Sequence, residues 1–117
     1  MDPNTPKKFD LTVKIEEKKV AMIPFILNTF GNIFSGSIHD LEDVGDSGLE
    51  KQISCTINPS AEKKNVVTLQ VAEKQINIKP FIQKMIWKTI TGFLSTLKKI
   101  PTDLENLPIT IKMQRKL

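Results

Sequence analysis

The chain has 117 residues, one cysteine, 39% hydrophobic and 26% charged residues. These values exclude an internal disulfide, a disordered-tail composition and more than one sizeable core. Its formal charge of +4 divides into −3 over residues 1–58 (six Lys, nine Asp or Glu) and +7 over residues 59–117 (eleven Lys or Arg, four Asp or Glu), a polarity that suits a charged partner or a second copy of the chain.

Residues 1–8 hold two prolines and no apolar pattern, and read as a flexible lead. From Phe9, the apolar residues Leu11, Val13 and Ile15 alternate with Asp10, Thr12 and Lys14, the period of a half-buried strand. Glu16 to Lys19 form the expected turn, and Val20 and Met22 resume the alternation as a second strand. Pro24 suits the first position of a helix, where a missing N–H costs nothing, and the helix is expected to reach about Asp43. Val44 to Lys51 is a loop with Gly45 and Gly48. Ile53 to Ile57 alternates again as a third strand, closed by Asn58-Pro59-Ser60.

The second half repeats this at a fixed offset of 56 residues. Pro24-Phe25-Ile26 returns as Pro80-Phe81-Ile82, Gly36 as Gly92, Leu41 as Leu97 and Ile53 as Ile109. Thr12, Glu17 and Lys18 return as Thr68, Glu73 and Lys74. A register kept without a gap from Leu11 to Ile57 is the mark of a duplicated unit. The second copy predicts strands over 65–72 and 75–79, a helix over 80–99 and a strand over 108–113. The expectation is an α+β fold: one domain over 1–117, with a β-β-α-β unit over 9–58 repeated over 65–114. The two units share one mixed or antiparallel sheet with both helices on one face, in pseudo-twofold symmetry.

On a wheel of 100° per residue each helix has three sectors. Ile26, Leu27, Phe30, Phe34, Ile38 and Leu41 should face the sheet, as should Ile82, Ile86, Ile90, Phe93, Leu94 and Leu97. Asn28, Asn32, Ser35 and His39, matched by Lys84, Lys88, Thr91 and Ser95, should face water. The third sector holds Phe25, Thr29, Ile33, Gly36 and Asp40, and Phe81, Met85, Thr89, Gly92 and Thr96. A glycine inside a helix costs about 1 kcal/mol against alanine, so its repetition suggests close approach by another element. Phe25, Ile33, Gly36, Phe81, Met85 and Gly92 are therefore the candidate contact residues, between the helices or between protomers.

Groups for chemistry are few. His39 is the sole histidine, reads as a surface residue with Asp40 turned away from its ring, and cannot complete a zinc site with Cys55 alone. Cys55, in a predicted strand, reads as a buried structural thiol. Gly45-Asp46-Ser47-Gly48 resembles the nucleophile loop of chymotrypsin-like proteases, but Leu49 breaks the glycine pair and the chain is too short for two barrels. Asp40, Glu42, Asp43, Asp46 and Glu50 lack the spacing of a calcium loop. They oppose the helix dipole, so a cationic partner would suit them. Lys84, Trp87 and Lys88 are the one grouping of base and aromatic, a poor case for nucleic acid. The uncharged run 20–38 contains Pro24 and two asparagines, and its counterpart carries Lys79, Lys84 and Lys88, which argues against a membrane span. With one cysteine and no secretory pattern, a cytoplasmic setting is expected.

The stretch Ile76-Asn77-Ile78-Lys79-Pro80-Phe81 through Thr89-Ile90-Thr91-Gly92-Phe93-Leu94-Ser95-Thr96-Leu97-Lys98 resembles a module of molybdopterin-guanine dinucleotide biosynthesis proteins, where it follows a P-loop GTP-binding domain. The likeness covers about a quarter of the chain, with an echo at Pro24-Phe25 and Gly36. Lys99 stands where that family is expected to have glycine, and no P-loop is present, so GTP binding does not carry over. The resemblance implies an accessory module near molybdenum-cofactor assembly. The combined expectation is a non-enzymatic module without cofactor or metal, working through contacts with its own kind or another protein. The alternative is a small ligand in the cleft between the units, held by Asn28, Asn32 and Ser35.

Overall fold

The computed structural model describes residues 6–41, 44–45, 50–61 and 66–116. Its elements, in chain order, are β1 (Phe9–Ile15), β2 (Lys18–Lys19), α1 (Pro24–Ile38), β3 (Ile53–Ile57), β4 (Val67–Val71), β5 (Lys74–Ile76), α2 (Pro80–Leu94), a 3-10 turn (Leu104–Asn106) and β6 (Ile109–Arg115). The fold is α+β. The six strands of the described residues form one sheet in the order β2-β1-β6-β3-β4-β5, antiparallel at every pairing.

Alternation along the strands decides which face is covered. Phe9, Val13 and Ile15 of β1 are buried, as are Ile53, Cys55 and Ile57 of β3, Val67, Leu69 and Val71 of β4, and Ile109, Ile111 and Met113 of β6. Phe30, Phe34 and Ile38 of α1 and Ile86, Ile90 and Leu94 of α2 complete the same core. Each such side chain taken out of water stabilises the fold by about 1.5–3 kcal/mol before entropy is counted. The opposite sheet face displays Lys14, Thr56, Gln70, Lys112 and Gln114 to solvent. α1 packs on β1 and α2 on β4. The two helices meet each other through Phe30 and Phe93, whose rings stand edge to face at 5.5 Å.

Both hairpins are tighter than the sequence suggests. Register Ile15↔Lys18 leaves Glu16 and Glu17 as a two-residue turn, with φ of 49° and 69°. Val71↔Lys74 does the same to Ala72 and Glu73, with φ of 49° and 74°. The second strand therefore starts at Lys18 rather than Val20. Two positive φ angles match the right-handed twist of the flanking strands, the geometry that Asn-Gly usually supplies. Glu17 holds it at a cost of about 1–2 kcal/mol, so Glu17→Gly is expected to raise the urea midpoint. A midpoint at or below that of the parent chain would contradict this account of the turn.

The helices start where the prolines place them and stop short of the expected ends. α1 ends at Ile38 rather than Asp43, and α2 at Leu94 rather than residue 99. Beyond each, the chain tightens into i→i−3 bonds, Leu41 N to Ile38 O and Leu97 N to Leu94 O. No basic residue sits in either last turn, and Asp40 just past α1 opposes its dipole.

Three expected solvent positions prove buried. Asn28 accepts from Lys8 N at 2.7 Å through Oδ1 and donates to Pro6 O at 2.9 Å through Nδ2. Ser35 Oγ lies 3.9 Å from Met113 Sδ, and Thr91 Oγ1 donates to Trp87 O at 2.9 Å. The wheel missed them because every one of these polar groups finds a partner, which removes most of the cost of burial. The covered arc also reaches beyond the apolar stripe.

Candidate functional site

The outward sector of the two helices is the most unusual surface on the described chain. Phe25 is 50% exposed, Phe81 68%, Met85 53% and Ile23, just before α1, 49%. Ile33 is half-buried, and Gly36 and Gly92 are exposed. Apart from the adjoining residues and the helix's own backbone, no atom of the described residues lies within 4 Å of the position a Cβ would take at Gly36 or Gly92. The close approach expected at these glycines is therefore not made among the described residues. Scattered surface apolar residues are ordinary; Phe25 and Phe81 are set apart by their size and by their matching place at the start of each helix, which makes this sector the candidate contact surface.

Charge differs between the two helices. α1 contains no charged residue, and Asp40, past its end, has a side chain that is 99% exposed. The exposed side of α2 carries Lys84 and Lys88, with Lys79 at its start. Lys88 Nζ lies 3.0 Å from Glu105 Oε1 and 5.1 Å from the centre of the Trp87 ring.

A cleft of about 400 Å³ lies beside this face, lined by Val66, Pro80, Phe81, Gln83, Lys84 and Trp87. The Trp87 indole Nε1 is buried without a partner among the described residues. The polar groups expected to hold a ligand between the units do not converge. Both ends of the Asn28 amide are bonded to the backbone of Pro6 and Lys8, Ser35 is turned to Met113, and Asn32 is exposed.

The remaining chemistry-bearing residues are dispersed. His39 Nδ1 lies 3.0 Å from Asp40 Oδ1, so Asp40 does not turn away from the ring. His39 caps α1, with its N–H still bonded to Ser35 O, and Asp40 follows it. Glu42, Asp43, Asp46 and Ser47 lie outside the described residues. Among those described, no three His, Cys, Asp or Glu side chains gather. No described helix is long and apolar enough to cross a membrane; the 15 residues of α1 span about 22 Å against a hydrocarbon core of about 30 Å.

Cys55 sits at the middle of β3, opposite Ile111, and is buried. Burial pushes its thiol from 9.0 up to about 12. The native state thus keeps its proton where the unfolded chain loses it. The stability this contributes is full below about pH 9 and declines as pH rises toward 12. Cys55→Val is expected to flatten the loss of stability between pH 8 and 10.5 relative to the parent, read by urea unfolding. A maleimide should label Cys55 only on unfolding. Rapid labelling of the folded chain would contradict its placement.

Compared with known proteins, the chain matches no family model, no curated protein and no solved structure.

Proposed function

We propose that the chain is a non-enzymatic assembly module, built by duplication of one β-β-α-β unit, that acts through the outward face of its two helices. The observation that carries this reading is the exposure of Phe25, Phe81 and Met85 on that face, beside two glycines with open space above them. Buried aromatic anchors are what protein interfaces depend on.

The duplication is supported by the strand registers, which keep the 56-residue offset. Ile15↔Ile109 in β1–β6 becomes Val71↔Ile53 in β4–β3, and Ile15↔Lys18 becomes Val71↔Lys74. The central pair maps onto itself: Ile53↔Met113 becomes Ile109↔Ile57, with Cys55↔Ile111 at the centre. The helix-ending bonds, Leu41 to Ile38 and Leu97 to Leu94, stand 56 apart as well. The resemblance to the molybdopterin-guanine dinucleotide module names molybdenum-cofactor assembly as a setting to test. Lys99, where that resemblance expects glycine, holds φ of 64°, a conformation glycine adopts without strain.

A photo-crosslinking residue placed in turn at Phe25 and Phe81, and as controls at Lys14 and Gln70 on the open sheet face, tests the reading in a cell extract. Discrete protein adducts from the helix positions alone support it. Adducts from the sheet face alone, or none from Phe25 and Phe81, overturn it. The second reading, a small ligand, is favoured by the cleft beside Phe81 and by the unpartnered Trp87 indole. Native mass spectrometry of the purified chain would show it as a discrete added mass.

A further inference from the structure

We infer that the partner of this face is a second copy of the chain, with α1 of each protomer lying antiparallel on α2 of the other. This rests on the reading of the face as an interaction surface, and four observations carry it further.

The first is spacing. Phe25 and Gly36 are eleven residues apart, as are Phe81 and Gly92, which is three helical turns within about 20° and a rise of about 16.5 Å. In an antiparallel pair of helices the two separations match. Phe25 then sits on the partner's Gly92, and Gly36 receives the partner's Phe81. Each aromatic is exposed and each glycine is open, so both helices bring a knob and a seat.

The second is direction and charge. β1 and β4 run oppositely in the sheet, three antiparallel steps apart. On the duplication reading, α1 and α2 do so too. A twofold axis along the helices then sets α1 antiparallel on the partner's α2. That arrangement brings the exposed Asp40 to the partner's Lys79, while α1 offers no like charge to Lys84 or Lys88. Setting α1 on α1 would instead put α2 on α2, with Lys84 and Lys88 against their own copies. Like-charge contact of that kind disfavours the arrangement.

The third is the sheet's edges. β2 and β5 are two and three residues long and carry Lys18, Lys19 and Lys74. Short lysine-bearing edges oppose strand-to-strand association, which leaves the broad faces. The fourth is area. The molecule extends 41 × 36 × 20 Å, so its broad face, the helices together with the segments that flank them, is large enough for the about 800 Å² per partner of a standard interface.

The test uses the purified full-length chain. Sedimentation equilibrium is expected to show a monomer–dimer equilibrium. Phe81→Ser and Gly36→Leu should each raise its dissociation constant by at least about tenfold. Leucine is the better helix former, so Gly36→Leu should melt no lower than the parent as a monomer, which separates a blocked seat from unfolding. For orientation, a Thr29→Cys chain is oxidised with a Lys88→Cys chain, and separately with an Asn32→Cys chain. A disulfide in the first mixture is expected. One in the second only would mean α1 on α1, and overturns the arrangement. A chain that stays monomeric, or a dimer indifferent to Phe81→Ser, overturns the second copy as partner. Photo-adducts of Phe81 with a different protein would then leave the interaction face standing, and their absence would remove both.

Discussion

Gly31→Ala is expected to destabilise the protein by about 1–3 kcal/mol, as overpacking of a filled core does. A methyl built on Gly31 would overlap the Phe9 ring, which is 3% exposed and belongs to the core cluster. The overlap reaches the root of the ring at Cγ as well as its edge, so relieving it requires the whole Phe9 side chain to shift. A fall in urea midpoint at unchanged slope would report the loss as stability. Phe9→Leu introduced on top of Gly31→Ala should recover a large part of it, giving a non-additive pair. Equal stability of Gly31→Ala and the parent would refute the contact. The offset of 56 adds an explanation: Trp87 stands where Gly31 does, and Asn65 where Phe9 does. On the duplication reading, the large side chain comes from the strand in one unit and from the helix in the other.

Gln83→Ala is expected to cost about 2–4 kcal/mol, because it orphans two backbone groups at once. Gln83 is buried; its Oε1 accepts from Val67 N at 2.9 Å and its Nε2 donates to Ile78 O at 2.8 Å. The side chain thus ties the start of β4 to the segment entering α2. Hydrogen exchange at the Val67 amide should accelerate in the variant beyond what global destabilisation explains. Unchanged exchange and stability would mean that water replaces the amide freely. Asn28→Ala makes a useful contrast, since Asn28 binds Pro6 and Lys8 on the exposed lead. Those groups regain water when released, so the loss should be the smaller one, about 1 kcal/mol.

The sequence by itself determined the strands β1 and β3 to the residue, because alternation over Phe9–Ile15 and Ile53–Ile57 is unbroken. It determined both helix starts through Pro24 and Pro80. It also placed most of the core stripe, since an apolar arc at helical spacing has to face something apolar. The outward residues Phe25, Gly36, Phe81, Met85 and Gly92 were legible as a group from their shared angle and their repetition, but whether they met each other or solvent was not. That was decided by the sheet. Only with α1 over β1 and α2 over β4 do the helices touch through Phe30 and Phe93, leaving that sector outward. Tertiary structure alone likewise fixed the strand order, the hairpin turns at Glu16–Glu17 and Ala72–Glu73, and the burial of Asn28, Gln83 and Thr91. The physical reason is common to these cases. Periodicity reports what one element prefers to bury, whereas strand order, forced positive φ angles and satisfied polar burial depend on partners distant in sequence that supply the register, the space or the hydrogen bond.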